Sequence, residues 1–303
     1  MATAVDHLPD QPAYRTDRAP LPLVQIGWFL ALILICYAPT LRNLGDQWMN
    51  DEDMGHGFFV PLVAGYIVWQ RREELAAIPV KPNYWGLGLL LWGAFQLSVG
   101  TLGAELFLQR TAILFTLIGA ILVIYGNKVL KALAFPLFLL LFMIPIPRII
   151  YTRITFPLQL FASRVAETLL NLINIPVLRD GNVLELASQK LSVVEACSGI
   201  RSLLSLSFLS LVYAYFFDPD KPWMKWALLA ATIPIAILAN AGRVTITGII
   251  SEYRTDLAQG FFHSLEGWLI FIVAMVLMIF AHRLINVIYN AIHAKQTRPA
   301  GLS

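Results

Sequence analysis

WGLGLLLWGAFQLSVGTLGAELFLQRTAILFTLIGAILVIY, residues 85–125, decides the solvent in which this chain folds. Across the whole stretch the only charged side chains are Glu105 and Arg110. A helix needs about 20 mostly apolar residues to cross the roughly 30 Å hydrocarbon core of a bilayer. The stretch therefore holds two spans, near 85–103 and 106–125. The link between them is so short that Glu105 and Arg110 must lie near one membrane interface.

The same pattern extends in both directions. Of 303 residues, 58% are hydrophobic and 14% are charged, and the mean hydropathy is +0.68. Soluble domains carry about 25% charged residues. The deficit runs along most of the chain, so lipid replaces water as its surroundings. Further spans are expected near 23–41, 57–70, 129–146, 198–217, 224–249 and 264–289, which makes about eight in an all-α integral membrane fold. The polar residues 1–20 and 291–303 read as cytoplasmic tails, the first of them disordered, around a single membrane domain at 21–290. The first apolar run is too long for a signal-peptide core and reads as a retained helix. A net charge of +3 is too small to point to nucleic acid.

Basic residues set the orientation. With a cytoplasmic N-terminus, Arg15, Arg18, Arg71, Arg72, Lys81, Lys128, Lys131, Lys221, Lys225, Arg283, Lys295 and Arg298 fall inside, against Arg42, Arg110 and Arg254 in short outer loops. Both termini are therefore expected on the inner side of the membrane. One outer segment breaks the pattern, because residues 147–197 carry five basic residues. It follows the turn IPIP (144–147) and opens with FPLQLFASRVAETLLNLINI (156–175), which reads as an amphipathic helix. Two β-prone runs, 182–186 and 190–195, then flank a polar turn and read as a hairpin. Together they form an extracytoplasmic cap that delivers the chain to Cys197.

Ionisable groups within spans are costly and point to function. On the topology above, Cys197 precedes the sixth span, Arg243 lies near the outer end of the seventh, and His263 precedes the eighth. Three separate segments thus put Cys, Arg and His at one membrane face. Cys197 stands in EACSGIRS (195–202) at a helix start, where free N–H groups and the helix dipole favour a thiolate. An imidazole can take or return its proton. A guanidinium can hold an oxyanion or a carboxylate. These parts suit acyl transfer through a thioester. Arg201 and Glu195 read as a supporting pair, Glu266 as an orienting carboxylate, and His56 in MGHGFFVP (54–61) as a cap or supporting group. Each also has a plainer reading as a packing or headgroup-level residue. Cys36 sits in an apolar run as a small thiol. There is no CxxC, HExxH, GxSxG or P-loop pattern, so neither a metal nor an organic cofactor is expected.

The pieces GHGFFVPLV (55–63), IPIP (144–147), VVEACSGIRSLL (193–204), PIAILANAGRVTITG (234–248) and FFHSLEGWLIF (261–271) resemble the exosortase/archaeosortase family of membrane transpeptidases. They stand in the family's order, between about residues 42 and 280. The resemblance implies Cys197 as nucleophile, Arg243 as the oxyanion or substrate-orienting cation and His263 as general acid/base, with Asn240 beside Arg243 in the NAGRV piece. It implies partners too: membrane-anchored proteins with a C-terminal sorting signal (a short motif such as Pro-Glu-Pro, an apolar helix and a basic tail), often alongside exopolysaccharide synthesis. The alternative class is a transporter or export component. Against it, the sequence shows no internal repeat and no paired broken helices, and its polar cluster stands at one face rather than the midplane.

Overall fold

The computed structural model describes residues 23–187, 190–192, 199–253 and 261–296. They are mostly helical, as lipid requires, since a backbone without water must satisfy its own hydrogen bonds. Helix α1 (Leu23–Cys36) gives way at Tyr37 to α2 (Ala38–Asn50), with a bend of 75°. Pro39, in the first turn of α2, cannot extend α1 because it lacks an N–H. A 3-10 turn (Glu52–Phe58) leads into α3 (Phe59–Gln70), and α4 (Arg72–Ala77) closes that limb.

Helices α5 (Trp85–Leu102) and α6 (Leu106–Ile124) form the predicted hairpin. Glu105 caps α6 by accepting the Leu108 N–H at 2.7 Å. The two helices approach along a stripe of small residues. A Cβ built on Gly86 would stand 2.6 Å from the Gly119 carbonyl, one on Gly93 3.2 Å from the Ala112 carbonyl, and one on Gly100 3.0 Å from the Glu105 carbonyl. Three glycines seven residues apart thus follow one antiparallel seam. In lipid such close packing replaces the hydrophobic drive that associates helices in water.

The expected span at 129–146 is not one helix. It consists of α7 (Asn127–Ala132), α8 (Ala134–Leu139) and a 3-10 turn (Leu140–Met143), and it stops at IPIP. Helix α9 (Arg148–Leu172) then leaves at 87° to the α8 limb. Pro145 and Pro147 remove the N–H groups that would have continued the helix.

After α9 come three antiparallel strands, β1 (Val177–Asp180), β2 (Val183–Leu186) and β3 (Lys190–Ser192). The expected hairpin corresponds to β2 and β3, with Glu185 opposite Lys190; residues 193–195 of its second run lie outside the described residues. Lys190 hydrogen-bonds Glu185 across that pair, and this bond, with the charge of Glu185, pushes its pKa up. Strand β1 was not expected. It joins β2 through a tight turn in which Gly181 takes φ 62°, a region glycine enters without strain. Alternation puts Leu184, Leu186 and Leu191 on one face, in a cluster with Ala166 and Leu170 of α9.

Helices α10 (Gly199–Phe217), α11 (Pro222–Tyr253) and α12 (Phe261–Gln296) complete the fold. The last runs to Gln296, into the expected tail. Ile235 and Ala239 of α11 share a cluster with Ile270, Ala274 and Met278 of α12 and Leu206 of α10. Where α10 gives way to α11, Asp218 accepts hydrogen bonds from His282 and, at 3.1 Å, from Asn286, while Tyr213 bonds the other nitrogen of His282 at 3.2 Å.

Among the described residues, four helices are long and apolar enough to cross a membrane, or up to six if each bent pair is one span. They are Trp85–Leu102, Leu106–Ile124, Pro222–Glu252 and Leu269–Ile292, with the pairs at Cys36/Ala38 and Met143/Arg148. The described residues thus do not show the expected eight, because apolar sequence is broken into pieces. Helix α3, at 12 residues, is about 18 Å long and falls short of a bilayer core. Leu203–Phe217 is a shorter apolar helix. Exposed Trp28, Ile35, Leu91, Val276 and Phe280 suit contact with lipid tails.

Candidate functional site

Two proline-made ends frame the site. A continued helix would satisfy the carbonyl of Met143 from residue 147, but Pro147 has no N–H to give. The Trp48 indole donates to that carbonyl instead, at 3.0 Å. The neighbouring carbonyl of Phe142 is met by His56 Nε2 at 3.1 Å. Because a carbonyl only accepts, Nε2 carries the proton. The other ring nitrogen, Nδ1, is 3.1 Å from Ser205 Oγ on α10, so in the neutral ring it accepts the serine hydroxyl. His56 is thus a clamp between three chain segments. Gly57 beside it has no room for a side chain, since a Cβ would fall 2.3 Å from the Trp48 ring. His56 was expected as a cap or supporting group. Its partners, Ser205 and the Phe142 carbonyl, were not foreseen.

Arg243 lies on α11, and the next residue, Val244, is fully buried. Val244 belongs to the cluster of Ala166, Leu170, Leu184, Leu186 and Leu191. Leu191 of β3 thus shares a buried cluster with the neighbour of Arg243, and it stands six residues before Cys197. Asn240, three positions before Arg243, is buried at 8% exposure. Small hydroxyl residues line the following turns: Thr245 donates to the Ala241 carbonyl at 2.8 Å and Thr247 to that of Arg243 at 2.9 Å. These bonds are spent within the helix.

Cys197 and Glu195 lie outside the described residues. Helix α10 starts at Gly199, two residues beyond Cys197, and Arg201 is in its first turn. His263 and Glu266 are in the first two turns of α12. The side chains of Arg201, His263 and Glu266 lie outside the described residues. Among the described residues, no group of three or more His, Cys, Asp or Glu side chains has metal-site geometry.

A family model described as transmembrane exosortase matches residues 48–280. No curated protein and no solved structure matches the chain. The matched region runs from Trp48, which holds the Met143 carbonyl, through the proline turn and Arg243 to the middle of α12. With well over half of its length in that match, the chain belongs to the transmembrane exosortase family.

Proposed function

We propose that this protein is a membrane cysteine transpeptidase that cleaves a C-terminal sorting signal from exported, membrane-anchored proteins. The Cys197 thiolate attacks the carbonyl carbon of the scissile peptide bond. Arg243 holds the oxyanion that forms. His263 protonates the leaving amine as the C–N bond breaks, which leaves a thioester on Cys197 and frees the anchoring helix. An acceptor, water or an amine, then attacks the thioester carbonyl and gives its proton to His263, and the thiolate departs. Pre-aimed charge of this kind is where most acyl-transfer catalysis originates.

The observation that carries this reading is one buried cluster that holds both Val244, beside Arg243, and Leu191, on the strand that leads toward Cys197. The α11–α12 register supports it. If the pairing of Ala239 with Ile270 continues antiparallel, the backbone of residue 266 falls level with 243 and that of 263 level with 246. The site then faces the outside of a bacterial inner membrane, both termini are cytoplasmic, and the α9–sheet unit covers the substrate's extended motif. An open sheet edge can pair with such a segment.

The test is processing of a co-expressed substrate with a short motif, an apolar helix and a basic tail. Cys197→Ala abolishes processing at wild-type membrane levels. Arg243→Lys and His263→Ala each lower it by about 10²–10³ or more. Full processing by the Cys197→Ala protein overturns the reading.

A further inference from the structure

Arg110 stands one turn into α6 and is 4% exposed. Its Nε is enclosed without a hydrogen-bond partner, and Arg110 makes no ion pair or hydrogen bond with any described residue. The carboxylate nearest in sequence, Glu105, is committed to capping α6 through the Leu108 N–H. The polar neighbours are occupied as well. Gln109 donates to the Gly100 carbonyl at 2.9 Å and accepts from Thr40 at 3.3 Å, and Thr111 donates to the Phe107 carbonyl at 2.9 Å.

Residues 107, 110 and 114 form one stripe on a helix. Phe107 and Leu114 on that stripe pack with Leu44, Trp48, Met143 and Phe208. Arg110 therefore stands on the face of α6 turned toward the segments that His56 clamps and toward α10, the helix that begins just after Cys197. A guanidinium keeps its charge in a protein, and although the charge of Glu105 acts on it, its Nε–H is out of water with no acceptor, which is a standing penalty. An arriving anion removes that penalty. The planar fork of five donors matches a carboxylate in two-point fashion. A headgroup phosphate offers the same kind of oxygens, but the face of Arg110 is turned toward the clamped segments and α10, where a peptide segment would arrive.

We propose that Arg110 is a carboxylate-binding residue that receives an acidic side chain of the incoming substrate segment. This rests on the transpeptidase reading for what arrives, and on the geometry of Arg110 alone for what is bound.

The full-length protein in maltoside micelles is titrated with two fluorescent peptides, each an extended ten-residue stretch followed by an apolar helix. One carries a central glutamate and its twin a glutamine. The wild type binds the glutamate peptide at least about tenfold more tightly. Arg110→Met binds both alike, Arg110→Lys recovers part of the preference, and without peptide Arg110→Met unfolds no earlier than wild type. The proposal is overturned if the wild type binds neither peptide or does not discriminate, or if Arg110→Met keeps the preference. It is also overturned if inorganic phosphate alone raises the unfolding midpoint through Arg110 while the twins bind equally, which marks a phosphate site. A protein that selects glutamate through Arg110 yet processes nothing removes the transpeptidase reading and leaves this one. A protein that cleaves both twins with equal KM does the reverse.

Discussion

Replacing Gly86 by alanine tests how the α5–α6 pair is held. The added Cβ falls 2.6 Å from the Gly119 carbonyl oxygen and 2.8 Å from the Val123 backbone nitrogen. A carbon ordinarily stands about 3.3–3.6 Å from a carbonyl oxygen, so the helices must part by about 0.7–1.0 Å at that end. Neither neighbour is a side chain that can swing away. Overpacking of this kind costs about 1–3 kcal/mol. Gly88 supplies the control, because a Cβ there meets nothing within 4 Å. Alanine at 88 gains helix propensity, about 0.5–1 kcal/mol. Alanine at 86 gains the same propensity, so the two substitutions, half a turn apart on one helix, should differ by the overpacking cost, about 1–3 kcal/mol. Denaturant unfolding of the purified protein in maltoside, followed by tryptophan fluorescence, reads the difference. In the Gly86→Ala/Gly119→Ala double variant the second change costs less than it does alone, because both open the same seam. A Gly86→Ala protein as stable as Gly88→Ala would refute the close-packing argument.

Two more experiments probe the clamp and the opposite end of α10. His56→Ala and Ser205→Ala, combined in a double-mutant cycle, should show a coupling of about 0.5–1.5 kcal/mol in the same unfolding assay; strict additivity would mean that the hydrogen bond between them contributes nothing. At Asp218, burial works to raise the pKa, but hydrogen bonds from His282 and Asn286 and the nearby charges of His282 and Lys221 outweigh it and hold the carboxyl below its ordinary value. A lowered carboxylate stabilises the fold above its unfolded pKa, about 3.9, and that contribution is lost as pH falls through the folded value. Between about pH 5 and 3 the thermal midpoint of wild type should thus fall more steeply than that of Asp218→Asn, and parallel curves would exclude a role for the Asp218 network.

The membrane environment was plain in the sequence, and the breaks within it were harder to read. Stretches 85–103 and 106–125 became two helices within a residue or so of the reading. Hydropathy averages over a window, so it treats 129–146 as equally continuous. The backbone does not, because Pro145 and Pro147 end the limb and α9 leaves nearly at right angles. Pro39 acts in the same way on the first expected span. The glycines at 86, 93 and 100 were visible as letters, but their meaning depends on Gly119, Ala112 and Glu105 lying opposite, which is a pairing between helices. Strand β1 went unread because VLRD lacks a clear alternation and depends on β2 for its partner.

The candidate site divides along the same physical line. Arg243 stood out in the sequence because a charge inside an apolar run has few structural excuses. The GHGFF and IPIP pieces were recognised as separate motifs 80-odd residues apart in the chain, and nothing local says why they belong together. The hydrogen bonds supply the reason. Prolines that end a helix inside an apolar protein leave carbonyls with no water to satisfy them. The Phe142 and Met143 carbonyls must find donors from elsewhere, and His56 and Trp48 are those donors. Once His56 spends one nitrogen on that task, its other nitrogen is free to hold Ser205 on α10. A histidine expected as a cap or supporting group is thus held by a backbone carbonyl on one side and a serine hydroxyl on the other. The same accounting singles out Arg110, whose donors have no such task.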